Sequence, residues 1–258
     1  MKNKKLTIHL WSLLASVATA LLFWGLLSIS SHLTQPANCM PAHCFCEYVD
    51  MQSPIKQFSN TFSSFAFVYV GWVIFFGSVY TKDTLMKIFG ISSVFIGFGS
   101  AFFHATLTFL GQVLDLAGMF LLSLFILFYA IYRIFHLTKT NTIILLIVSN
   151  VILDGGLFIV PEMRRYLFGA LVVLGLLSEL FYVKKQQNPI ETKWLKYAFV
   201  TLLIAFGIWI LDLTKVVCEP TSLWQGHMLW HILSAIAIYL LYLYYRQKKG
   251  TNQTKSKL

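Results

Sequence analysis

Residues 113–135 read VLDLAGMFLLSLFILFYAIYRIF. A hydrocarbon core of about 30 Å is crossed by roughly 17–25 helical residues, and this run is long enough. It is continuously apolar and does not alternate, so a membrane-barrel strand is excluded. Inside lipid the backbone must satisfy its own hydrogen bonds, which makes the run a helix. Seven further stretches have the same character, near 6–28, 58–80, 85–103, 142–160, 166–183, 195–213 and 226–245. The fold class is therefore all-α, a polytopic transmembrane bundle.

Composition agrees. The 258 residues are 57% hydrophobic and only 12% charged, about half the charge of a soluble domain. A disordered chain would not carry 23 Phe, and a disulfide-rich secreted module would carry more than 4 Cys. A soluble enzyme would need more charge to cover its surface. No internal repeat or low-complexity tract interrupts the pattern.

The net charge of +10 would suggest nucleic acid in a soluble protein, but its placement points to membrane orientation instead. With the N-terminus taken as cytoplasmic, 16 Lys and Arg fall on the inner side. Four fall on the outer side, namely Lys56, Arg164, Arg165 and Lys215. That split supports eight spans with both termini cytoplasmic. The first span is read as an uncleaved anchor, because its apolar run is long for a signal peptide and no A-x-A site follows. One long connection, residues 29–57, holds Cys39, Cys44, Cys46 and three prolines on the outer side. The tail from Arg246 to Leu258 is basic and polar and is expected to be unstructured.

Ionisable groups inside spans are costly and mark function. The alternating topology brings Ser100, His104, Asp115, Asp212, His227 and His231 to one leaflet, although these residues played no part in setting sidedness. Ser100 and His104 lie four apart and share a helix face, as do His227 and His231. Two imidazoles at that spacing plus a third from a neighbouring helix make a His₃ zinc site with a fourth position for water. Zinc would bring the pKa of that water to about 7. Asp115 is placed to take its proton, and the Ser100 hydroxyl to donate to an oxyanion. Each element alone has a bland reading: H-x-x-x-H arises by chance, and a serine in a span often only packs. The combination carries the weight.

The stretches GSAFFHATL (99–107), Asp115 and HMLWH (227–231) resemble the alkaline ceramidases. More broadly they resemble the superfamily that includes progestin/adiponectin-type receptors and GPI-remodelling proteins. CEYVD (46–50), QFSNTFSS (57–64) and LDLTKVVCEP (211–220) are similar to segments of the ceramidases in particular. The resemblance covers about residues 44–245, a core of seven helices. It leaves 1–43 as an extra N-terminal anchor helix with its outer loop, and 246–258 as a cytoplasmic tail.

The resemblance implies hydrolysis of the ceramide amide to a sphingoid base and a free fatty acid. Zinc would be held by His104, His227 and His231, with Asp115 acting on the zinc water and Ser100 on the oxyanion. The catalytic site would face the extracytoplasmic leaflet. The implied partners are a ceramide-type lipid and the bilayer, with no nucleic acid and no obligatory protein partner. The resemblance also implies a disulfide between Cys46 and Cys218, with Cys39 and Cys44 as a possible second pair. It further implies a calcium site in the loop. Glu47 fits that site, but Cys44, Val49 and Gln57 stand where Asp, Asn and Glu are expected. Asp50 offers a substitute with altered geometry, and the loop holds fewer carboxylates than calcium usually takes.

The other polar groups have plainer readings. Asp212 either buttresses a zinc histidine or pairs with Lys215. Asp154, one turn from Asn150, either lines the pocket or, the favoured reading, pairs with Arg164 or Arg165. Glu179 snorkels towards Lys184 or water. His9, His32, His43 and His136 are interfacial or loop residues. Two other functions fit the same motifs: a seven-helix receptor with a structural zinc, and a lipid-remodelling esterase.

Overall fold

The structure, a computed structural model, describes residues 2–40, 44–187 and 190–255. Its α-helices are α1 (Lys2–Ser28), α2 (Phe58–Ser63), α3 (Phe65–Tyr80), α4 (Thr84–Thr106), α5 (Phe109–Phe135), α6 (Lys139–Ile159), α7 (Arg164–Lys184), α8 (Lys193–Leu213) and α9 (Gly226–Lys255). The chain turns slightly at Ser64, so α2 and α3 together make one span. Eight spans are long and apolar enough to cross a bilayer. The protein is a multi-pass membrane protein, and the eight stretches read from sequence are the eight spans.

Local caps explain where the spans begin. Asp83 accepts from the Met86 N–H at the start of α4. Thr108 accepts from the Gly111 N–H at 3.2 Å, so α5 starts at Phe109 rather than near 113. Leu107 holds the left-handed conformation, with φ 51°, and closes the turn between α4 and α5. The tail differs from expectation: α9 continues as helix to Lys255 instead of ending near 245. The described segment from Arg246 onward simply extends the hydrogen-bonded turns of the last span.

The core runs through α3, α4, α5 and α9, where Phe67, Ile74, Phe89, Phe120, Ala235 and Tyr244 are almost fully buried. Helices α4 and α5 approach closely because glycine lines the seam. A Cβ at Gly99 would sit 2.6 Å from the Leu114 carbonyl oxygen, and one at Gly118 would sit 2.5 Å from Ile96 Cα. This seam sets Ser100 beside Asp115. Helix α1 packs on α3 and α4, where the Trp72 indole donates to Thr19 at 3.1 Å and His9 meets the Tyr69 hydroxyl at 3.0 Å.

Helix α7 rests on α5 and α8 rests on α9, while α7 and α8 meet through the stacked rings of Phe168 and Phe206, with centroids 5.9 Å apart. Residues of α5, α7, α8 and α9 line a cavity of about 420 Å³ with almost wholly apolar walls.

Two expectations for charged residues are corrected. Glu179 does not snorkel: it is 1% exposed, ion-paired with Arg133 and hydrogen-bonded by the Tyr245 hydroxyl at 2.8 Å. A complementary cation on α5 is closer than the membrane surface. Asp154 does not pair with Arg164 or Arg165: Arg164 donates instead to the Pro161 carbonyl at 2.8 Å, one turn away on its own chain segment. Asp154 Oδ1 is buried without a hydrogen-bond partner. His43 lies outside the described residues.

Candidate metal centre

Two helices deliver the three histidines. His104 comes from the last turn of α4, and His227 and His231 come from the first two turns of α9. Their ligand nitrogens lie within 4.8 Å of one another, and the residues are 0%, 5% and 2% exposed. His104 Nε2 and His227 Nε2 are 3.1 Å apart. Nitrogens sharing one zinc ion at 2.0–2.1 Å would be separated by about 3.4 Å, so this pair is spaced as two ligands of one ion would be.

For two of the three histidines the ring nitrogen facing away from the cluster is hydrogen-bonded, as is usual for metal-binding imidazoles, whereas His227 Nδ1 is buried without a hydrogen-bond partner. His104 Nδ1 donates to Gln57 Oε1 at 2.7 Å, which leaves its Nε2 lone pair facing the cluster. His231 Nδ1 meets the Ser63 hydroxyl at 2.8 Å and the Ser64 hydroxyl at 3.4 Å. His227 is held differently: Phe45 stacks on its ring, with centroids 3.8 Å apart and planes inclined by 23°.

Ser100 and Asp115 complete the group. The Ser100 hydroxyl is 3.3 Å from His231 Nε2 and also interacts with the Asp115 carboxylate. Both residues line the cavity together with His227 and His231. A nucleophilic water, a proton acceptor and a hydroxyl donor would thus share one dry pocket, where electrostatic interactions are strong.

A strap formed by residues 44–57 crosses this end of the bundle. Disulfides join Cys39 to Cys44 and Cys46 to Cys218. Asp212 accepts from the backbone N–H of Cys46 at 3.2 Å and of His227 at 3.0 Å. It therefore fixes the start of α9, a position where a carboxylate also complements the helix dipole, and reaches His227 through its backbone. Gln57 Nε2 donates to the Glu47 carbonyl at 3.3 Å, while the Gln57 backbone N–H donates to the His104 carbonyl at 3.1 Å.

The two residues considered for calcium are engaged locally. Glu47 is buried and its two oxygens accept from the backbone N–H groups of Ser59 and Asn60, at 2.5 and 2.9 Å, capping α2. Burial raises its pKa above the ordinary value, and those two N–H donors offset part of the rise. Asp50 is exposed and its Oδ1 accepts from the N–H groups of Gln52 and Ser53 in a turn. Among the described residues, neither belongs to a cluster of three or more metal-ligating groups.

Sequence reasoning did not assign roles to Gln57, Ser63 or Phe45. The signal available for the first two was the run of small polar residues, 57–64, opening an otherwise apolar span.

The family model for ceramidases matches residues 42–257. The chain belongs to the ceramidase family. It is 26% identical over 239 residues to a Dictyostelium discoideum protein named as an alkaline ceramidase, covering 76% of this chain and 82% of that one. It is 27% identical over 202 residues to alkaline ceramidase 1 of Mus musculus, covering 70% of each. Membership makes the chain a hydrolase of amide bonds, and helix α1 precedes the matched residues.

Proposed function

We propose that this ceramidase-family protein is a zinc-dependent intramembrane amidase that cleaves ceramide to a sphingoid base and a fatty acid. The observation that carries the reading is the buried triad His104, His227 and His231, opening onto an apolar cavity beside Ser100 and Asp115. Zinc, when bound, supplies Lewis acidity and makes a water acidic enough to attack near neutral pH.

The chain's own residues supply the rest. His104 and His231 are held in the required tautomers by Gln57 and Ser63. Asp115 takes the proton of the attacking water and returns it to the leaving amine. Ser100 donates its hydroxyl hydrogen to the oxygen that gains charge as the carbonyl is attacked. The cavity lined by α5, α7, α8 and α9 receives an alkyl chain, and its apolar wall keeps bulk water from the reaction.

We read residues 44–245 as a seven-helix core to which α1 is added. Both termini are cytoplasmic, and the metal centre faces the extracytoplasmic leaflet; the 16-to-4 distribution of Lys and Arg supports this orientation. We also infer a strap held by its disulfides and backbone hydrogen bonds rather than by calcium, because the Glu47 and Asp50 carboxylates already accept backbone N–H groups.

The test is product analysis with purified protein in liposomes. Release of sphingoid base from ceramide, lost together with bound zinc in His231→Ala, is the expected result. Activity that survives in His231→Ala after zinc removal would overturn the mechanism. Fatty-acid release from ester lipids alone would reassign the substrate.

A further inference from the structure

The cavity beside the metal centre runs along the helices. On α9 its lining extends from His227 to Leu241, about 21 Å at 1.5 Å per residue. On α8, whose last turn meets the start of α9, the lining covers the same span between Trp209 and Leu195. The volume of about 420 Å³ is spread over this length, which leaves room for one alkyl chain. Two carboxylates line it, one towards each end. Asp115 sits beside the metal centre. Glu179 sits at the far end, level with Tyr245, one turn beyond Leu241 on α9.

That far end is closed and charged. Behind the Glu179 carboxylate lies its ion-pair partner Arg133, whose Nε donates to the Tyr129 carbonyl at 3.0 Å. The guanidinium is packed 4.4, 4.2 and 5.1 Å from the ring centroids of Tyr129, Tyr182 and Tyr245. An alkyl chain gains nothing from a carboxylate. To pass this layer it would have to separate a buried ion pair and leave both charges uncompensated. Apolar side chains of similar volume would often hold the four helices together as well or better. They would not supply an end that hydrocarbon cannot enter. The chain that fills the cavity is the acyl chain. It is attached to the reacting carbon itself and carries no polar group beyond it. The sphingoid chain begins beside hydroxyls that need polar partners, which the apolar walls do not offer.

We propose that Glu179, backed by Arg133, is the stop at the end of an acyl-chain tube and sets the longest acyl group the enzyme cleaves well. The proposal rests on the amidase reading above and specifies its substrate class. An extended chain advances about 1.2 Å per bond, so a tube of about 21 Å holds about 16–18 carbons. Longer chains must fold back or leave the metal centre, and both displace the carbonyl from Ser100 and Asp115.

The experiment measures kcat/KM of the zinc-loaded full-length protein in liposomes on ceramides from octanoyl to lignoceroyl. Each profile is scaled to that protein's own rate on the octanoyl lipid. The unaltered protein should hold its rate to the stearoyl chain and lose about tenfold or more by the lignoceroyl chain, since one methylene too many in an apolar pocket is worth about that much. Glu179→Ala/Arg133→Ala should move the break upward by about two carbons or more. Ala237→Phe fills the tube about 15 Å below the level of His227 and should bring the break down to about 12 carbons. A flat profile in the unaltered protein, or a break that stays in place in either variant, overturns the proposal. So does a break that follows the sphingoid chain when its length is varied at a fixed palmitoyl group. The amidase reading stands in all these cases. Should the double Ala variant fail to fold, or should no ceramide be cleaved and the amidase reading fail, photolabelling of the unaltered protein decides. The probe is a palmitoyl ceramide with a diazirine at the acyl terminus. Labels on Glu179, Tyr182 or Tyr245 support the stop, and their absence from all three refutes it.

Discussion

The side-chain carbonyl of Gln57 accepts a hydrogen bond from His104 Nδ1 at 2.7 Å, linking the strap to a metal-facing imidazole from 47 positions away in the chain. The same amide donates to the Glu47 carbonyl, so it cannot rotate without breaking both contacts. Partners of this kind fix the tautomer and direction of a ligand ring. Gln57→Leu should therefore weaken zinc binding by about 10–100-fold. Gln57→Glu, which keeps an acceptor, should retain most of it. Competition with a graded chelator measures both. Unchanged zinc retention in Gln57→Leu would show that the contact does not orient His104.

Asp115 is assigned to proton transfer and not to metal binding. It lines the cavity beside the three histidines but lies outside the cluster of candidate ligands. Asp115→Asn should lower kcat by about 10²–10⁴-fold, the range that general acid–base groups contribute. Zinc content should remain close to that of the unaltered protein. If zinc and activity fall together, Asp115 belongs to the metal's own ligand sphere and its assigned role is wrong.

At the other end of the cavity, Glu179 joins Arg133 in a buried ion pair. The guanidinium lies 4.4 Å from the Tyr129 ring centroid and 4.2 Å from that of Tyr182. Removing one partner of such a pair leaves an uncompensated charge, at a cost of about 3–5 kcal/mol. Glu179→Leu should lower the thermal midpoint in detergent markedly. Adding Arg133→Met should restore much of the loss, because the orphaned charge disappears with it. A double variant no more stable than Glu179→Leu would place the contribution in packing instead.

The spans were legible because lipid imposes one structure on a long apolar run, so α3 to α9 follow from length alone. The histidine cluster was legible for a similar reason. The four-residue spacing of His227 and His231 sets them on one face, and counting crossings brings His104 to the same end. Gln57, Ser63 and Phe45 were not assigned from sequence, because their partners are 47, 168 and 182 positions away and no periodicity relates them. Glu179 was misread because snorkelling is the default for a charge near a span end, and only packing shows that Arg133 is nearer. The cavity arises from how α5, α7, α8 and α9 pair, which no one helix encodes alone.

The disulfide between Cys46 and Cys218 ties the strap to the segment before α9, and Asp212 joins the same two elements through hydrogen bonds. Eight spans hold the bundle without it, so its removal should act locally. Cys46→Ser/Cys218→Ser is expected to insert and fold, but to lose zinc to a chelator several-fold faster because Phe45 no longer presses on His227. Reduction of the unaltered protein should reproduce the effect. Identical zinc-loss rates before and after reduction would show that the strap is held by its other contacts.

Glu47 gives the strap a pH dependence of definite sign. Burial raises its pKa in the folded strap above the ordinary 4.5, against the opposing pull of the Asn60 and Ser59 N–H donors. The folded strap then binds a proton more tightly than the open one, and the slope of stability with pH is negative between the two values. Glu47 stabilises most below its unfolded pKa, and that contribution declines as pH rises through the folded value. Hydrogen-exchange protection factors for the amides of Ser59 and Asn60 should accordingly decrease from about pH 4.5 towards neutrality. Glu47→Gln, with no proton to lose, should flatten this dependence while lowering protection overall, since one of the two accepting oxygens is replaced by a donor. A protection profile that rises with pH in the unaltered protein would mean that the two N–H donors outweigh burial and that the carboxylate is bound charged.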